Sequence, residues 1–90
     1  MIPANKIYDI LVKVCGASEN MRDNFIYHTQ QEGTWGSSEY RFQGKLGFGG
    51  KFWIRREGWD VNCYSEDETP ERLAIIKSAN EKLRLLRDAA

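Results

Sequence analysis

Residues 40–64 read YRFQGKLGFGGKFWIRREGWDVNCY, and the fold class turns on how this stretch is parsed. Tyr40 and Phe42 alternate with Arg41 and Gln43. Phe52 and Ile54 alternate with Lys51, Trp53 and Arg55, and Trp59, Val61 and Cys63 alternate with Asp60, Asn62 and Tyr64. Side chains along a strand point to opposite faces with a period of two, so three such runs predict three strands. The break at residues 56–58, REG, is short enough for a hairpin, and the glycine cluster 44–50 joins the first two strands. An antiparallel meander is the economical topology.

Helical signals flank this block. Ile7, Ile10, Leu11 and Val14 fall at i, i+3, i+4 and i+7, the spacing that lines one face of a helix, and Gly16 stands where a left-handed residue closes one. Ser18 is placed to cap a second helix over residues 19–31, where Met21 and Phe25 are four apart, although FIYHT also fits a strand. EGTWGSS at 32–38 has loop composition. After SEDE, Thr69 serves as N-cap and Pro70 as first helical residue. Ile76, Ala79, Leu83 and Leu86 then repeat at helical spacing, with basic residues toward the end. The expectation is an α+β fold, α-α-β-β-β-α. Its helices pack on one face of a three-stranded sheet, where Ile7, Ile10, Leu11 and Val14 meet Ile76, Leu83 and Leu86 over Phe42, Phe52, Ile54 and Val61.

Ninety residues, 41% of them apolar, suit one domain spanning 1–90. Thirteen basic and thirteen acidic side chains cancel, so any electrostatic attraction must come from a local patch. Cys15 and Cys63 begin no metal-ligand spacing and read as small buried hydrophobes. The opening MIPANKIYDILVKVCG has no secretory pattern, and no run approaches the roughly 18 apolar residues of a membrane span. A cytoplasmic protein without membrane partners is expected.

The chemistry-bearing motifs are weak. A Walker loop needs a first glycine where Lys45 stands and a hydroxyl where Phe52 stands, so GKLGFGGKFW, residues 44–53, reads as a glycine-permitted bend. Glu66, Asp67, Glu68 and Glu71 lack calcium-loop spacing and suit a helix N-terminus without a metal. His28, the single histidine, has no nucleophile or carboxylate at a telling spacing. A helix-turn-helix reading fails because residues 19–31 carry one basic residue, Arg22, against Glu19 and Asp23. The expectation is a non-enzymatic protein with no cofactor and no metal.

What stands out is a cationic, aromatic face. Arg41, Lys45, Lys51, Arg55 and Arg56 occur between residues 41 and 56 with no acidic residue among them. Trp53 shares its strand face with Lys51 and Arg55, whereas Phe52 with Ile54, and Trp59 with Val61, sit in phase with other apolar residues. Three tryptophans exceed what so small a core needs, and Trp and Arg dominate interface hot spots. The candidate partner-binding set is Arg41, Lys45, Phe48, Lys51, Trp53, Arg55 and Arg56. The expected partner is a protein or a protein–nucleic acid complex, with nucleic acid itself as the alternative. The 3, 4, 3 apolar spacing of the closing helix spans fewer than two heptads, which leaves monomer and homodimer both open.

RFQGKLGFGGKFW, followed by CYSEDETPER and the closing basic helix, resembles small uncharacterised single-domain proteins of phages and prophages over roughly residues 39–88. The resemblance transfers no catalytic or binding residue. It implies a phage protein that binds a host macromolecule as a regulator or as an inhibitor of a defence system, in the manner of anti-CRISPR proteins.

Overall fold

Residues 3–30, 39–43, 51–57 and 60–89 are described by the structure, a computed structural model. Helix α1, Ala4–Cys15, is closed by Gly16 in the left-handed region (φ 71°), a conformation that a residue with a Cβ adopts only at a cost. Ala17 N–H then bonds Leu11 C=O at 3.0 Å. The Ser18 side chain caps the next turn by accepting from Asn20 N–H, and a 3₁₀ turn, Glu19–Met21, leads into α2, Arg22–Gln30. Residues 25–29 are thus helical. Phe25 is buried, whereas Met21 is exposed.

The buried stripe of α1 is rotated from the expected one. Ile7 and Leu11 are buried together with Tyr8 and Cys15, while Ile10 and Val14 pack half-buried at the margin. Tyr8 causes the rotation. Its ring lies 5.3 Å from that of Phe25, and its hydroxyl donates to Ser18 C=O, so a residue with a polar tip is buried with that tip satisfied.

The strands are β1, Glu39–Gln43; β2, Lys51–Glu57; and β3, Asp60–Ser65. β2 and β3 pair antiparallel with Trp53 opposite Tyr64, Ile54 opposite Cys63 and Glu57 opposite Asp60. β2 therefore continues through Arg56 and Glu57, which the sequence reading had placed in the hairpin break. The backbone of β1 registers antiparallel against β2, with Arg41 opposite Trp53 and Phe42 opposite Phe52. The Phe42 side chain and Trp59 fall outside the described residues.

Helix α3, Pro70–Ala89, starts at the expected cap: Arg72 N–H bonds Thr69 Oγ1 at 3.4 Å and Leu73 N–H bonds Thr69 C=O at 2.9 Å. It buries Ile76, Ala79 and Leu83, with Leu86 half-buried beside them. These residues join Phe52, Ile54, Val61 and Cys63 and the buried side chains of α1 and α2 in one cluster. The chain is α+β, three helices with an antiparallel sheet, as the periodicities predicted at that level.

Two polar clusters lock the helices in place. Arg22 on α2 binds Glu19 twice at 2.8 Å, reaches Asp9 and Asn5 of α1, and lies 5.1 Å from the Tyr8 ring centroid. Across the molecule, the Asn80 side chain of α3 accepts from Cys63 N–H at 2.6 Å and donates to Cys63 C=O at 3.2 Å. Both clusters pair residues seventeen positions apart, Asn5 with Arg22 and Cys63 with Asn80.

Candidate interaction face

Strand alternation divides the β2–β3 hairpin into two faces. Phe52, Ile54, Val61 and Cys63 face the core, so Trp53, Arg55, Glu57, Asn62 and Tyr64 occupy the other side. On that side the Trp53 and Tyr64 rings stack, with centroids 5.6 Å apart and planes inclined by 19°. The Arg55 guanidinium lies 5.6 Å from the Tyr64 centroid, a cation–π contact. The Tyr64 hydroxyl donates to Glu57 Oε1 at the hairpin end. Four side chains of two strands thus form one connected surface.

The phenol of Tyr64 is shifted accordingly. Its hydrogen bond to Glu57, then partial burial and the Glu57 charge, raise its pKa above the ordinary tyrosine value, while Arg55 works in the opposite direction. Ionising Tyr64 would place an anion against the Glu57 carboxylate. The neutral, donating phenol is the form this geometry holds.

The candidate residues scatter differently from the expectation. Trp53 and Arg55 share the outer face, and the backbone of Arg41 stands opposite Trp53 in the register. Arg56 does not belong with them. Because β2 runs on to Glu57, alternation places Arg56 on the side of Phe52 and Ile54, opposite Val61, where it is half-buried. Lys45 and Phe48 fall outside the described residues, as does the Lys51 side chain. Glu57 and Asp60 add negative charge near the hairpin end. Asp60 is held by Arg87, which also binds Asp88 at 3.0 Å.

Tyr64 and Glu57 were missed as site residues. The signal for Tyr64 was present, because its alternation with Cys63 put it on the outer face, but pairing it with Trp53 required the hairpin register. His28, half-buried on α2, meets the Tyr27 ring edge-on at 5.4 Å. Cys15 and Cys63 are free thiols within the core, as expected of small buried hydrophobes. Asp67 of the acidic run lies 3.6 Å from the Arg72 guanidinium. Among the described residues, no helix is long and apolar enough to cross a membrane. No family model, no curated protein and no solved structure matches the chain.

Proposed function

We propose that this protein is a small non-enzymatic binder of phage origin. In this reading it acts in the host cytoplasm on a host protein, as a regulator or an inhibitor of the anti-defence, anti-CRISPR type. The three-stranded meander, with its helices on one face, leaves the outer face of the sheet to the partner. The observation that carries the reading is the Trp53–Tyr64–Arg55 stack. Trp, Tyr and Arg are the residue types that concentrate binding energy at protein interfaces, and rings already ordered against one another lose little freedom on docking.

The proposed partner-binding set also keeps Arg41, Lys45, Phe48 and Lys51, and a groove rich in carboxylates or shaped like a nucleic acid is the complementary surface. The competing reading is a nucleic-acid-binding module using the same face. Base stacking needs an open ring face, and the Tyr64 ring already has Trp53 and Arg55 against it, which favours a protein partner.

Salt dependence separates the two. A module neutralising about four or five phosphates loses affinity with a log-log slope of about −3 to −5, whereas a desolvated protein interface responds far less. Fluorescence anisotropy with a labelled single-stranded oligonucleotide, repeated across a salt series, makes the comparison. The proposal expects no affinity tighter than weak, salt-sensitive binding. Tight binding that Trp53→Ala abolishes would instead establish the nucleic-acid reading.

A further inference from the structure

The chain has two cysteines, and the fold brings them together. Cys15 is the final residue of α1 and Cys63 lies inside β3; each is a free thiol and each is 1% exposed. The two thiols are hydrogen-bonded to one another, so their sulfurs already face each other across the core. Sequence separation makes this meeting a product of the tertiary fold alone.

The two backbones are held differently. Asn80 of α3 binds both the N–H and the C=O of Cys63, which fixes that main chain against the helix. Cys15 borders Gly16, the left-handed residue at which α1 stops. A shift at a helix end disturbs fewer helical hydrogen bonds than one in its middle. Joining the sulfurs therefore asks for adjustment at one partner only, within the close approach that a disulfide requires.

The surroundings decide which oxidised form fits. The cluster around the thiols is apolar, and no polar or charged side chain is buried among the described residues. A sulfenic acid would bury a new hydroxyl there without a partner. A glutathione adduct needs room that a close-packed core lacks. A disulfide is neutral, apolar and adds no atom.

We infer that Cys15 and Cys63 are a latent disulfide pair, closed by a small disulfide oxidant such as oxidised glutathione when the chain folds in an oxidising medium. One thiolate of the unfolded chain attacks oxidised glutathione and releases one glutathione thiolate. The second protein thiolate attacks the protein sulfur of that mixed disulfide and releases the other. Two protein thiols thus become one S–S bond, and their two electrons and two protons end on two glutathione thiols. In a reducing cytoplasm the same exchange runs back to the thiols. The bond ties α1 to β3 around a ring that contains α2, β1 and β2, and long rings gain most from such a link.

The test starts from the full chain, unfolded and reduced in urea. It is diluted into native buffer, or kept in urea, across a series of oxidised-to-reduced glutathione ratios. Acid quenching, alkylation and mass spectrometry then count the free thiols. The native samples are expected to form the bond at an oxidant ratio at least about tenfold lower than the urea samples, because a fold that holds the thiols together favours the bond as strongly as the bond favours the fold. Proteolytic mapping should find the Cys15 and Cys63 peptides joined. The oxidised protein should keep the circular dichroism of the reduced one and unfold at higher urea concentration, a gain that reductant removes and that Cys15→Ser does not show. The inference is overturned if the two oxidation midpoints coincide, if glutathione adducts or intermolecular dimers accumulate in place of the internal bond, or if oxidation costs the chain its native circular dichroism or lowers its urea midpoint.

Discussion

The side-chain amide of Asn80 forms a two-point hydrogen bond with the main chain of Cys63, accepting at 2.6 Å and donating at 3.2 Å across seventeen residues of sequence. The pair imitates one rung of an antiparallel ladder, with a helix side chain in place of a neighbouring strand. It anchors α3 to β3 and closes part of an edge that would otherwise invite strand pairing. Replacing Asn80 with Ala leaves the Cys63 N–H and C=O without partners, and a loss of about 1–3 kcal/mol is expected. Denaturant titration measures the loss, and faster amide exchange at Cys63 locates it.

Arg22 is the corresponding clamp between α1 and α2. It joins Glu19, Asp9 and the Asn5 side chain and covers the Tyr8 ring. Arg22→Ala is expected to destabilise by about 1–2 kcal/mol, because several charge-assisted bonds and one cation–π contact are lost at a partly solvated site. Arg22→Lys should recover only part of this, since an ammonium cannot span the same acceptors. Thermal unfolding of the three proteins decides the order.

Acid reports on the same clamp. The hydrogen bond from Arg22 holds the Glu19 carboxyl below its ordinary value of 4.5, so its contribution is present above that value and fades as the pH falls through the lowered one. Glu19→Gln should flatten the acid limb of the stability curve relative to wild type. An unchanged acid limb would mean the bond is not maintained in solution.

Tyr64 contributes to the alkaline limb. Its raised folded-state pKa means that its contribution is complete below the ordinary value of 10 and is lost as the pH rises from there through the raised value. A difference spectrophotometric titration of wild type against Tyr64→Phe should place the Tyr64 ionisation above the ordinary range, and Glu57→Gln should bring it back toward that range. Circular dichroism from the Trp53–Tyr64 stack should weaken in the same pH interval.

The two thiols offer a test of the core. Cys63 is buried, and its thiol is pushed well above the ordinary cysteine value of 9.0, first by a hydrogen bond with Cys15 and then by burial. Cys63 is held as the unreactive thiol and Cys15 is buried in the core, so neither cysteine should react with a thiol reagent at neutral pH while the chain is folded. Both should react promptly in denaturant. Rapid reaction of the native protein would show that the packing between α1 and β3 is looser than described.

What was legible in the sequence was what local chemistry dictates. Thr69–Pro70 started α3, Gly16 closed α1, and the Ile76–Ala79–Leu83–Leu86 spacing identified the buried face of the last helix. What was not legible depended on partners far along the chain. The α1 stripe turned toward Tyr8 because the Ser18 carbonyl was there to accept its hydroxyl. Arg56 changed faces because β2 outran the apparent break at 56–58, a register that alternation within a single strand does not supply. Asn80 gave no periodic signal at all, since one polar residue on a helix acquires its role only from the strand beside it.

The most direct test of the proposed function is affinity capture from a bacterial host lysate, treated with nuclease, using the tagged protein and its Trp53→Ala/Arg55→Ala variant side by side. Mass spectrometry is expected to find one host protein held by the wild type after nuclease treatment and absent from the folded variant. Recovery of nucleic acid alone, or equal retention of the host protein by the variant, would contradict the assignment of the outer sheet face.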